Sequence, residues 1–272
     1  MASSGPALGR ADLTLRWALL LTAALGLAVS GSALGEPLES EATAICVVAA
    51  PARACGASIE PKFEASFSPT ALAKREQTPL SPRVSMSFKN SDGTHPSALK
   101  GFEIEEDRHL RLNLTGVPAC HGLGIQDGIP LQQKCKNSLI GTGRMVVNIQ
   151  FPEQPEPIVT RSKVTAYNEG VGSSGTRSLL LAAYITVPTP AVIVTTVEVK
   201  KNNAGPYGLK LIGSVPKIAG GSGSVTYLAW RFHKGIFSAT CADRHLQTGF
   251  KANFVDGTFL GGAVLQACTP AP

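Results

Sequence analysis

The chain has 272 residues, 43% of them apolar and 16% charged, with 25 Lys and Arg against 19 Asp and Glu for a formal charge of +6. The excess is scattered: Lys74-Arg75, Lys134 with Lys136, and Lys200-Lys201 are the close groupings, and no aromatic residue sits between those lysines. With aromatics at 6%, this excludes the dense basic, ring-interleaved surface of a nucleic-acid binder. It leaves either attraction to anionic cell-envelope polymers or ordinary solvated lysines.

The N-terminus reads as an export signal. Arg10 and Arg16 precede the uncharged run Trp17–Val29, and small residues follow through Ala33 and Gly35. A cleaved signal peptide over 1–33, forming a signal helix, is therefore predicted. The alternative is an uncleaved anchor, but the uncharged stretch barely reaches the roughly 20 apolar residues of a spanning helix. Removing 1–33 takes away two Arg and one Asp and leaves a formal charge of +5. Residues 34–57, rich in Ala, Glu and Pro, read as a flexible leader.

Six cysteines follow as three pairs: Cys46 and Cys55, Cys120 and Cys135, Cys241 and Cys268. An even count in an exported chain predicts disulfides, and sequential pairing is the simplest of the possible connectivities. Zinc is the competing reading. Its sites favour closely spaced cysteine pairs or nearby histidines, whereas His95, His109, His121, His233 and His245 are dispersed.

From about Ile59 onward the pattern is β. Short runs rich in Val, Ile, Thr and aromatics alternate with Gly, Pro, Asn and Asp. Strands are predicted near 83–88, 99–105, 110–114, 144–151, 158–166, 178–187, 191–200, 209–215, 224–232, 235–241, 246–255 and 258–267. The last two flank Asp256-Gly257, the preferred pair for a two-residue type I′ hairpin. With Cys241 ending the preceding strand and Cys268 ending the hairpin, their bridge would clamp three neighbouring strands. Leu131–Cys135 is expected to form one helical turn. No long amphipathic helix interrupts the series. The fold class is therefore all-β, an antiparallel β-sandwich of about 10–12 short strands over 58–272. A boundary between lobes is conceivable at Pro188-Thr189-Pro190.

The usual catalytic signatures are missing. Gly220-Gly221-Ser222-Gly223-Ser224 lacks the last glycine of a nucleophile elbow, and Gly122-Leu123-Gly124 continues to Asp127 where a dinucleotide fingerprint needs glycine. The acidic run Glu103, Glu105, Glu106, Asp107 with His109 is the best local candidate. On an extended strand Glu103, Glu105 and Asp107 share a face and could offer oxygens to a hard cation, or serve glycoside hydrolysis as paired carboxylates. The simpler alternative packs Phe102 and Ile104 inward and leaves Glu103 and Glu105 as the solvated face. Asn113-Leu114-Thr115 matches a glycosylation sequon, and Trp230, the one tryptophan after the signal, reads as core.

The order of features resembles a group of uncharacterised secreted proteins of high-GC soil actinobacteria. The resemblance lies in Ser91-Asp92-Gly93-Thr94-His95-Pro96, Val117-Pro118-Ala119-Cys120 with Cys135, and Leu139-Ile140-Gly141-Thr142-Gly143. It continues through Val164-Thr165-Ala166-Tyr167-Asn168, then Cys241 and Cys268 around Asp256-Gly257. The resemblance implies location and fold, and assigns no activity; Lys136 after Cys135 departs from its pattern. The sequence predicts an exported, non-catalytic cell-envelope or extracellular binding or structural domain that needs no cofactor. The alternative is a secreted hydrolase or cation-dependent carbohydrate-binding protein using Glu103–His109.

Overall fold

The computed structural model describes residues 45–46, 59–120, 131–172 and 174–271. The predicted signal segment, most of the leader and Cys55 lie outside these residues. Cys46 is placed by its backbone in a short strand, so the first cysteine pair is not described.

In chain order the strands are β1 (Ile45–Cys46), β2 (Ile59–Ser68), β3 (Ala71–Ala73), β4 (Thr78–Asn90), β5 (Leu99–Asp107) and β6 (Leu110–Leu112). After one helical turn, α1 (Leu131–Lys134), come β7 (Leu139–Ile149), β8 (Ile158–Val171), β9 (Arg177–Ile185), β10 (Ala191–Lys201) and β11 (Tyr207–Ser214). The chain closes with β12 (Gly223–Phe232), β13 (Phe237–Ala239), β14 (His245–Phe254), β15 (Phe259–Ala267) and β16 (Thr269–Ala271). The all-β class and its antiparallel pairing are as the sequence predicts. The added strands are chiefly β2 and the short terminal pieces. In β2 the period is plain: Ile59, Phe63 and Phe67 are buried while Glu60, Lys62 and Glu64 are exposed. Pro61 is tolerated there because β2 pairs only with β4, where a missing backbone donor breaks no ladder on the free side.

One continuous sheet runs β1-β15-β14-β5-β11-β10-β9-β8-β7-β12-β4-β13-β6, with β2 on the side of β4. The path folds over so that its two halves face each other as a sandwich. Phe63 of β2 stacks on Phe250 of β14 at 4.9 Å, and Phe88 of β4 meets Phe254 edge-on at 5.1 Å. Phe102 of β5 tilts against Trp230 of β12 at 5.6 Å. Trp230 is 2% exposed and so is core, as expected. β2 runs close beside β15, but no hydrogen-bond ladder joins them.

β9 is buried on both faces. Leu179, Leu181 and Ala183 join the central core, while Leu180 and Ala182 pack outward with Tyr167 against Cys120, Cys135 and Leu131. The Cys120–Cys135 disulfide (Cα–Cα 5.4 Å) thus staples a small apolar roof onto the outer sheet surface. Cys241–Cys268 (Cα–Cα 6.0 Å) is the other described bridge. Both pairs are the sequential ones predicted, and they mark an oxidising, extracytoplasmic environment. Among the described residues, no helix is long and apolar enough to cross a membrane.

Two local expectations are corrected. The strand before Cys241, β13, pairs with β4 and β6 and not with β14. Residues 240–244, with Arg244 at φ +62°, turn the chain away between them. The bridge therefore links two ends of the sheet path instead of three adjacent strands. Beside it β16 pairs with β3, and the Cys241 N–H donates to Ala73 O at 2.9 Å. The hairpin between β14 and β15 is also longer than two residues. Asn253 pairs with Phe259, the Gly257 N–H donates to Phe254 O at 3.1 Å, and of the pair only Gly257 has positive φ (+88°). A type I′ turn needs positive φ at both central residues; here a three-residue loop ends on a left-handed glycine. At 188–190 there is a hairpin connection: Ile185 pairs with Ala191, and the described residues on both sides of it belong to one compact unit.

Candidate functional site

β5 carries the acidic run predicted as a site, and its alternation separates the carboxylates. Phe102 and Ile104 are buried in the core. On the opposite face Lys210 of β11 stands across from Glu105, and Lys251 of β14 across from Glu103. Lys210 Nζ lies 3.0 Å from Glu103 and 3.3 Å from Glu105, and Lys251 Nζ lies 2.9 Å from Glu105. Asn202 Nδ2 donates to Glu105 Oε1 at 3.0 Å. Glu105 is consequently only 6% exposed and is not the solvated residue of the simpler sequence reading. Burial opposes its charge, but hydrogen bonds and charge from Lys251 and Lys210 outweigh that, and its pKa is lowered. The Lys210 pKa rises in turn, first through its hydrogen bond to Glu103.

Asp107 is committed as well. Its Oδ1 accepts from the backbone N–H of His109 at 2.9 Å and lies 2.8 Å from His109 Nδ1, and its Oδ2 accepts from the Gln247 N–H at 3.0 Å. Glu103, Glu105 and Asp107 do share a face, as predicted, but ammonium and amide donors occupy them. A hard cation would have to displace two lysines. A glycosidase acid needs a carboxyl that keeps its proton, and Glu105 is held charged. Among the described residues, no three His, Cys, Asp or Glu side chains group to hold a metal ion.

Ser224, at the end of the glycine-serine run, approaches a histidine. Its Oγ lies 3.5 Å from His95 Nδ1, but the hydroxyl donates to Pro96 O at 2.6 Å and the residue is 1% exposed. A nucleophile needs a proton free to pass to its base and a path for substrate. Ser224 has its proton engaged by a carbonyl and its oxygen sealed from solvent.

The sequence reading missed two features, the inward orientation of one of its acidic candidates and a basic face. The first is Glu106, which has the parity of Phe102 and Ile104 and points inward with them. It is buried, accepts from Thr248 Oγ1 at 2.9 Å, and sits by a cavity near the β2–β15 seam lined in part by Phe67, Leu110 and Leu246. Desolvation raises its pKa to about 7, with the Asp107 charge adding to the shift and the Thr248 hydrogen bond opposing it.

The second is a basic face assembled from four adjacent strands. Arg83 on β4 is directly opposite Arg231 on β12. Arg144 on β7 is opposite Lys163 on β8, and Arg161 follows two residues away on β8. All five are exposed, and among the described residues none forms an ion pair with a carboxylate. Glu64, on neighbouring β2, is bonded to Lys62 at 2.9 Å and Ser85 at 2.8 Å, which lower its pKa in that order, with the Arg83 charge adding to the shift. Arg144 lies over the Tyr227 ring at 5.0 Å and its Nη2 donates to the Tyr227 hydroxyl at 3.2 Å. Like charges directly across a strand pair destabilise a sheet. Glu64 offsets Arg83 in part, without an ion pair, and two such pairs incompletely compensated break a local folding rule, which proteins do mainly where function requires it.

No protein-family model matches this chain, and no curated protein and no solved structure matches it either. The functional reading rests on the residues above.

Proposed function

We propose that the chain is an exported, non-catalytic β-sandwich domain that binds anionic cell-envelope polymers on the outer face of β4, β12, β7 and β8. The observation that carries this reading is the pair of like-charged cross-strand contacts, Arg83 with Arg231 and Arg144 with Lys163, none of which forms an ion pair with a carboxylate among the described residues. A polyanion would neutralise both pairs at once and release its counterions.

Three further points support the reading. The disulfides fit an oxidising compartment, the export signal and the resemblance to secreted proteins point outward, and Glu103 and Glu105 are neutralised by Lys210 and Lys251. The test is binding of the purified protein to soluble polyanions at low and raised salt. Binding that weakens with salt, and weakens again in Arg144→Gln and Lys163→Gln, is expected. Affinity unchanged by those substitutions would assign the partner to another surface.

A further inference from the structure

We infer that the hairpin joining β9 to β10 docks on an anionic lipid surface, its uncharged tip entering the interface while neighbouring cations hold the headgroups. The inference goes beyond the polymer reading. The tip residues play no part there, although the basic stripe of Arg83, Arg231, Arg144, Lys163 and Arg161 runs up to them. Ser178 to Val197 is the longest uncharged run in the chain. β9 and β10 bury much of it, but every residue from Thr186 to Val192 is exposed. Turns that face water are ordinarily polar; here Thr186 and Thr189 are the polar side chains, and the rest are Val, Pro and Ala. Val187 is 49% exposed and Val192 38%, and Val159 of β8 is 46% exposed. The Thr160 hydroxyl donates to Val187 O at 2.8 Å, which ties the tip to β8 next to Val159. Single exposed valines are ordinary, whereas a contiguous set on a turn marks a contact surface.

Charge decides what covers it. Arg161 follows Val159 on the same face of β8. Val164 pairs with Ala183, which sets Lys163 beside Tyr184, and Tyr184 pairs with Val192 on β10. Arg144 stands across from Lys163. The connection between β7 and β8 contributes Glu153 and Glu156, and with Arg83 and Arg231 on the adjoining strands the excess stays positive. A protein partner would need a pocket shaped to this turn, whereas a lipid layer needs only fluid acyl chains. Apolar residues sunk about 5–10 Å below the headgroups, with Lys and Arg at their rim, hold such a surface. The turn's backbone suits that setting. The β9–β10 ladder ends where Ile185 pairs with Ala191, and the residues beyond it have few donors to desolvate, because Pro188 and Pro190 carry no N–H.

Co-sedimentation with vesicles of phosphatidylcholine, alone or mixed with phosphatidylglycerol, tests this. The expected result is binding to the mixed vesicles about tenfold or more above phosphatidylcholine alone. Val187→Ser with Val192→Ser changes no charge; it should lower that binding several-fold and leave soluble polyanion binding at the parent level. Circular dichroism checks the fold of the double variant. In Val187→Trp, tryptophan emission should move to shorter wavelength on the mixed vesicles only, against the constant background of buried Trp230. A double variant that binds the mixed vesicles as the parent does overturns the lipid docking and leaves the polymer reading standing. So does a parent that binds neither vesicle yet holds soluble polyanions. A dimer in solution that the double substitution dissociates would give the tip to a second copy and overturns the docking too. A parent that binds the mixed vesicles but no soluble polyanion overturns the polymer reading alone.

Discussion

Arg83 and Arg231 stand directly opposite each other on neighbouring antiparallel strands, both exposed, and among the described residues neither forms an ion pair with a carboxylate. Their repulsion is a standing cost in the unbound protein. Arg231→Gln should raise stability by about 0.2–1 kcal/mol while weakening polyanion binding. Thermal melting of both proteins without polymer checks the first half. A variant less stable than the parent would mean that Arg231 has a structural role.

The salt dependence of binding counts the cations engaged. Each stripe residue neutralised by substitution should lower the slope of log K against log salt by about 0.7 for a single-stranded polyanion. The slopes of Arg144→Gln and of the double variant with Lys163→Gln check this by titration over a salt series. A slope unchanged in both would place these residues outside the contact.

Glu106 makes stability depend on pH with a definite sign. Its folded pKa of about 7 lies above the ordinary glutamate value of 4.5, so between these two the folded chain holds a proton that the unfolded chain has released. Its full contribution is present below about pH 4.5 and is lost as pH rises through about 7, roughly 3 kcal/mol in all. Denaturant unfolding at several pH values should show that decline, and Glu106→Gln should flatten it. A parent protein whose stability does not fall between pH 5 and 8 would contradict the burial of an acid at this position.

The outer carboxylates behave oppositely. Glu105 has its pKa lowered, because its lysine partners outweigh burial. Its contribution is present above the ordinary glutamate value and is lost as pH falls through its lowered folded one. Lys251→Ala with Lys210→Ala should cost about 3 kcal/mol by leaving Glu105 nearly buried and unpaired. Adding Glu105→Gln should restore most of that loss, as chemical denaturation would show. Calcium that stabilised the double-lysine variant and not the parent would show the lysines to be what excludes a cation.

Gly143 supports the basic face from beneath. It pairs with Trp230, and a Cβ there would strike the Ala229 carbonyl and come within 2.7 Å of Trp230 Cα. Gly143→Ala should destabilise by several kcal/mol, in line with overpacking of a sheet core. Soluble yield and melting temperature check it.

Much of the fold was legible because it depends on alternation and on cysteine number. β5, β12 and the β14–β15 hairpin follow from period-2 runs, and the two described disulfides from sequential pairing in an exported chain. β2 was passed over as a strand because Pro61 and its charges mask the buried Ile59, Phe63 and Phe67. Glu106 was legible in principle, since it shares the parity of Phe102 and Ile104. It was read instead with its acidic neighbours, whose common chemistry hid the change of face. The stripe was not legible locally. Arg83 and Arg231 are far apart in the chain, and only the register of β4 with β12 sets them side by side. The Cys241–Cys268 geometry failed for a related reason: the strand next in sequence to β14 is not its neighbour in space.

Backbone amide shifts mapped by NMR during titration with a soluble polyanion such as polyglutamate test most directly whether an anionic chain lies along the arginine stripe. The account predicts perturbations concentrated on β4, β12, β7 and β8 around Arg83, Arg231, Arg144, Lys163 and Arg161. Saturable perturbations confined to the β5, β11 and β14 face, or none anywhere, would contradict it.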